Sequence, residues 1–282
     1  MIVLFSHQPA LWWLGLGYHG WERRGEVWLA ALVGDLEKMM EKFAEIQARA
    51  MARKGGAQAL QDLLPKVASE AQFLALPDDR VLAMMCRTIN QAGFNWAVIN
   101  NKWPQFEAAF FGFDVDRLAM LSAEQWEAYC NDPRVVRHWP RIKALMENVS
   151  FVRAYSHEYG SFARFLNTFP ASRQIDLMAV LKKRGSRLGG NTGQWFLRYV
   201  GKDGFVLSQD VVLALQQAGL DIPAQPSSKR DLERIQLAFN TWADETGLSY
   251  THLGKIAAYS VGNNYAPQQI DHSVSKFNAM ID

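Results

Sequence analysis

The spacing of apolar residues from Pro77 onward constrains this chain more than any other feature. Val81, Leu82, Met85, Ile89 and Ala92 recur every three or four positions, the period that lines side chains along one face of an α-helix. Ile142, Leu145, Met146, Val149 and Val152 repeat the pattern. Apolar stretches at Ile175 to Leu181, and around Leu232, Ile235, Leu237 and Phe239, read the same way. Alternating runs rich in valine and isoleucine, the mark of half-buried strands, are nearly absent. The expected fold class is therefore all-α.

Start and stop signals support this reading. Helical patterning begins near Met40, breaks at Lys54-Gly55-Gly56 and resumes over Ala57 to Leu64. Pro77-Asp78-Asp79 supplies an N-cap, and Gly93 separates the helix that follows from an apolar segment at Trp96 to Ile99. Ser122-x-x-Gln125 is a capping box opening a helix with Trp126 and Tyr129, which Asp132-Pro133 ends. Pro140 opens a longer helix. Ser208 is placed to cap Gln209 to Ala218, which stops at Gly219, and Ser228 to cap the next helix. A last helix spans Thr251 to Ser260.

The first 38 residues differ in texture. They hold Trp12, Trp13, Trp21 and Trp28, four of the ten tryptophans, without a long helical period. They read as a leader that contributes nothing to activity, with Met39 or Met40 as the natural start. Residues 39–262 read as the helical domain and 263–282 as a flexible tail.

Composition narrows the function classes. A chain of 282 residues with 49% hydrophobic content has enough apolar side chain for a sizeable core. The net charge of +2 neither requires nor excludes nucleic acid, since a local basic patch can supply phosphate contacts. Cys86 and Cys130 form no disulfide framework and no C-x-x-C pair, which fits a reducing cytoplasm. No apolar run approaches the ~20 residues of a membrane span. Trp21-Glu-Arg-Arg24 stands where a secretory cleavage site would fall. No G-x-S-x-G, Walker loop or H-E-x-x-H is present.

The segment LKKRGSRLGGNTGQWFLRYVGKDGFVLSQDVV, Leu181 to Val212, carries the most chemistry. A helix ends, a glycine-containing hairpin follows, and a second helix starts. Glycines at 189 and 190 permit positive φ and close backbone approach. The N–H groups of Gly190, Asn191 and Thr192 at the second helix start can hold a phosphate. Lys182, Lys183, Arg184 and Arg187 stand beside them as counter-charges. Phe205-Val206-Leu207 and then Asp210 follow. Taken alone the segment reads two ways, because a glycine after a basic helix end is also an ordinary C-cap and Asp210 also suits a first helical turn.

In order along the chain, Gln91-Ala92-Gly93-Phe94-Asn95-Trp96, Phe113-Asp114, Val136-Arg137-His138 and Leu181-Lys182-Lys183-Arg184-Gly185 resemble the DNA-3-methyladenine glycosylase I family. The resemblance covers about Asp78 to Leu220 and reaches Ser260 more loosely. It implies a helix-hairpin-helix fold, with the hairpin at about 175–218, and a reaction. An alkylated base, 3-methyladenine foremost, is flipped from duplex DNA and cut from its sugar. It further implies a cytoplasmic, nucleoid-associated monomer without cofactor or membrane partner.

Site residues follow from the same resemblance. Trp96 matches the tryptophan on which the excised base stacks, where a cationic base gains beyond ordinary stacking. Thr88 and Gln91 fall in the base-binding part, Phe94 matches the wedge that fills the flipped nucleotide's gap, and Gly93 shapes its turn. Lys183, Arg184, Arg187, Gly189, Gly190, Asn191 and Thr192 are placed on DNA, and Asp210 at the catalytic step. Taken without the resemblance, Trp96 reads first as a core tryptophan, and core burial is the alternative for Phe94 too. Two departures stand out. Thr88 occupies the position of a glutamate that in the family hydrogen-bonds the base. Val211 and Leu215 stand where C-terminal zinc ligands would be, so no metal is expected. The rival readings are a non-catalytic damaged-DNA-binding protein on the same scaffold and a helical protein-interaction module.

Overall fold

The computed structural model describes residues 40–264, within the unit Met40–Asp282. The expected leader at 1–38 lies outside the described residues, as does the expected tail from 265 on. Among the described residues every regular element is helical. In chain order these are α1 Phe43–Lys54, α2 Ala57–Asp62, α3 Glu70–Leu74, α4 Asp78–Gln91, α5 Trp96–Ala109, α6 Val115–Ala119, α7 Ala123–Ala128, α8 Trp139–Tyr159, α9 Phe162–Asn167, α10 Gln174–Arg184, α11 Gly190–Tyr199, α12 Gln209–Gln217, α13 Lys229–Thr246 and α14 Tyr250–Ser260, with 3-10 turns at Phe111–Phe113 and Ala171–Arg173.

The sequence signals map onto real caps. Ser122 and Gln125 form the capping box of α7, Ser208 accepts from Val211 N at the start of α12, and Ser228 accepts from Asp231 N at the start of α13. Three expectations change. Asp78 is not a cap: Pro77 takes that position, and the Asp78 carboxylate accepts from Phe162 N at 2.8 Å, tying α4 to the start of α9. The short segment at Trp96 is the start of a longer helix that runs on through Pro104. Its apolar pattern fades over Asn100-Asn101-Lys102, which is why periodicity alone stops at Ile99. The α7 helix ends at Ala128, and the Tyr129 hydroxyl is spent instead on Ala109 O at 2.8 Å.

One apolar cluster runs from Phe73 to Val200. In it α4 packs against α8 and α11, and Trp103 stacks on Phe106 and Phe113, both at 5.4 Å. A second group joins α1, α13 and α14. Phe43 meets Trp242 at 5.3 Å, and Phe239 stacks on Phe205 at 4.3 Å. Phe205 belongs to the extended stretch between α11 and α12, so this second group fixes the approach to Asp210.

Candidate nucleic-acid interface

The hairpin between α10 and α11 is held from below. Asn148 of α8, itself buried, accepts from Ser186 N at 2.8 Å and donates to Ser186 O at 3.0 Å. Leu188 fills the core beneath the turn, while Lys182, Lys183, Arg184 and Arg187 stay exposed above it. Arg187 has φ +58° and Gly190 φ +58°. The arginine adopts a left-handed conformation that only its surroundings can impose. Gly189 is the N-cap of α11 and offers no side chain to the first turn, so those N–H groups can be directed to an anion. Gly193 is required for another reason. A Cβ there would run into the Leu188 carbonyl, whose carbon would lie only 3.2 Å away.

A second turn projects beside it. At the end of α4 the chain turns through Gly93 at φ +73°, and Asn95 caps α5 by accepting from Ala97 N at 2.9 Å. Phe94 on this turn is 44% exposed and Trp96 38% exposed. These are surface aromatics, so the core alternative for both falls. Arg141 of α8 braces the turn, donating to Asn90 O at 2.5 Å and Ala92 O at 2.8 Å. Its guanidinium lies 4.3 Å from the Phe94 ring centre. Burial, and after it the charge of Arg187, lowers the pKa of Arg141. The aromatic turn and the basic hairpin are thus electrostatic neighbours, the arrangement a bent phosphate backbone would neutralise. In the sequence Arg141 was visible only as one arginine among several near His138.

Behind Trp96 lie Trp195 and Tyr199 of α11, each edge-on at 6.5 Å, and these two stack on each other at 5.5 Å. A flat base laid on the exposed face of Trp96 would rest on a braced ring. Thr88 and Gln91, expected to meet the base, are both buried. The Thr88 hydroxyl donates to Met84 O at 2.8 Å, and Gln91 Nε2 donates to Asn100 Oδ1 at 3.0 Å. Asn100 Oδ1 also accepts from Arg87 at 2.9 Å. Arg87 lies over the Trp103 ring, and burial pushes its pKa down to about 10 against the opposing pull of Tyr199 and Glu107. Where the family resemblance expects a carboxylate, this site carries a satisfied hydroxyl beside a buried cation.

Asp210 is exposed in the first turn of α12. Two buried glutamines position the approach to it. Gln174 of α10 accepts from Phe205 N at 2.8 Å and donates to Phe205 O at 2.7 Å, and Gln194 of α11 accepts from Leu207 N at 2.6 Å. Amide side chains thus replace a neighbouring strand and satisfy an extended backbone. Beyond the end of α14, Gly262 lies against the Asp210 carboxylate. An added Cβ would sit 3.1 Å from Asp210 Cγ. Val211 and Leu215 point into the core as apolar side chains. Gln174, Gln194 and Asn148 escaped the sequence reading because a lone amide residue in a helix gives no local sign of the distant backbone it serves.

Residues 74–188 match the methyladenine glycosylase family model. Over 131 residues the chain is 27% identical to the DNA-3-methyladenine glycosylase 1 of Escherichia coli strain K12, covering 40% of this chain and 70% of that protein. It is 24% identical over 131 residues to the DNA-3-methyladenine glycosylase of Haemophilus influenzae, covering 40% and 71%. Among solved structures, a 3-methyladenine DNA glycosylase I from Staphylococcus aureus aligns at 20% identity and a TM-score of 0.40, over 55% of this chain and 86% of that one.

Proposed function

From the match of residues 74–188 to the methyladenine glycosylase family model, we propose that the protein excises alkylated bases, 3-methyladenine foremost, from duplex DNA. The observation that carries the reading is the pairing of two exposed aromatics, Phe94 and Trp96, on one braced turn with the basic hairpin through Arg141 and Arg187. Phe94 enters the stack where the nucleotide leaves, offsetting part of the unstacking cost of a few kcal/mol. The flipped base lies on Trp96, and a base alkylated on a ring nitrogen is cationic, so the ring face attracts it.

Such a base is already a good leaving group, and little acid is needed to release it. The remaining work is to stabilise the positive sugar and to direct water to its C1′ carbon, the part assigned to Asp210. The hairpin N–H groups, Lys183, Arg184 and Arg187 grip the phosphates and set the register. We place the protein on DNA as a monomer in the cytoplasm, without a cofactor. No helix of the described residues is long and apolar enough to cross a membrane.

The deciding experiment is chromatography of bases released from methylated duplex DNA. Release of 3-methyladenine is expected. The Thr88 hydroxyl, committed to Met84, favours one rival, a protein that binds damaged DNA without cutting it. Tight binding to an abasic-analogue duplex with no free base in the supernatant would establish that rival.

A further inference from the structure

Asn100 stands one helical turn beyond Trp96 on α5, so the two side chains share a face of that helix, about 5–6 Å apart at Cβ. Both residues are exposed. Helical side chains lean toward the helix N-terminus, which tips the Asn100 amide back toward the ring. Its oxygen is already committed. Oδ1 accepts from Arg87 at 2.9 Å and from Gln91 Nε2 at 3.0 Å. A guanidinium can only donate, so the atom facing Arg87 is the oxygen and the orientation of the amide is fixed. The two Nδ2 hydrogens are thereby turned away from α4, to the open side of α5. The pull of Arg87 on Oδ1 polarises the amide and strengthens those hydrogens as donors.

The edge of the proposed base site therefore presents a donor. The acceptor that the family pattern expects is missing at Thr88, whose hydroxyl is donated to Met84 O at 2.8 Å. The two purines differ in what they offer such a group. Along one edge adenine shows a single acceptor, N7, beside the N6 amino donor, whereas guanine shows two acceptors, N7 and O6. A fixed carboxylate favours adenine by accepting from N6. A fixed amide donor meets O6 of guanine and is opposed by N6 of adenine.

Resting on the glycosylase reading, we propose that Asn100 is a specificity residue, which donates to the edge of the base stacked on Trp96 and admits alkylated guanine beside alkylated adenine. Arg87 and Gln91 act through it, by holding its oxygen inward. 3-Methylguanine and 3-methyladenine carry the methyl group at the same ring position, so the pair compares the two edges directly.

The test is one digest of methylated duplex DNA by the full chain, with both bases measured by chromatography. The wild type should release 3-methylguanine as well as 3-methyladenine. Asn100→Asp keeps the shape and an oxygen toward Arg87 and Gln91 but turns an acceptor outward. With the melting temperature no lower than that of the wild type, it should reduce the ratio of 3-methylguanine to 3-methyladenine by roughly three- to tenfold, the worth of one hydrogen bond. A merely structural Asn100 would change both bases in proportion. Release of 3-methyladenine alone by the wild type, or an unchanged ratio in the variant, overturns the role of Asn100 and leaves the glycosylase reading standing. Calorimetric titration with the two free bases reads the same edge without cleavage. If neither base is released from DNA, the glycosylase reading falls. The variant should even then lose affinity for free 3-methylguanine relative to 3-methyladenine by a similar factor, and an unchanged relative affinity overturns the proposal.

Discussion

A carboxylate assists the departure of a base only if it is ionised beside the sugar that acquires positive charge. Asp210 is exposed on its turn, with Gly262 against its carboxylate. Asp210→Asn removes the charge and keeps the shape, so single-turnover excision should fall by about tenfold or more while binding to an abasic-analogue duplex stays nearly intact. Full activity in that variant would take Asp210 out of the reaction. The two aromatics of the turn should separate by role. Trp96→Ala should cost ~1–3 kcal/mol of lesion recognition, the worth of one stacked base. Phe94→Ala should weaken binding to every flipped-base duplex and leave lesion preference unchanged. Competition binding with methylated and undamaged duplexes reads both effects. Because each ring is more than a third exposed, neither change should unfold the protein. Residue types and order announced these positions in the sequence, but their exposure did not, since an aromatic between two helices serves core and surface equally well. Thr88 shows the converse. Its place in the pattern pointed to the base, and only the structure shows its hydroxyl turned back on Met84 of its own helix.

At the scale of elements, the hairpin is the unit we propose to meet DNA, and its glycines do separate jobs. Gly190 is at φ +58° with open space around it, so a side chain there is strained without being crowded. Gly190→Val should cost on the order of 1–3 kcal/mol in backbone strain and reduce affinity for damaged and undamaged duplexes alike in titrations at fixed salt. An effect confined to the damaged duplex would contradict a phosphate role. Gly193 is not strained but crowded against the Leu188 carbonyl, so Gly193→Ala should lower the melting temperature before it touches affinity. The sequence displayed the hairpin because helix end, glycines and helix start are contiguous. It concealed what fastens the hairpin, because Asn148 is remote along the chain and makes its two bonds to Ser186 only after α8 has packed.

At the scale of the whole molecule, α1 packs against α13 and α14, elements outside residues 74–188. Phe43 is fully buried against Trp242, and Glu41 N donates to Ala218 O at 2.9 Å. Phe43→Ala should therefore cost about 3–5 kcal/mol, read as a lowered urea midpoint with an unchanged slope. A chain beginning at Met40 keeps these contacts, and we propose that it retains the excision rate of the full chain. A drop in rate would return the first 39 residues to the active fold. The sequence by itself determined the helical class, most helix starts and the hairpin, because periodicity, caps and glycine turns act between residues a few positions apart. It also carried the family pattern that named Trp96, Phe94 and Asp210. Only the tertiary structure decided which aromatics face water, that Arg141 braces the turn carrying Phe94, and that Gln174 and Gln194 hold the path to Asp210. Each of these depends on groups far apart in sequence whose burial, charge and hydrogen bonding exist only once the helices have packed.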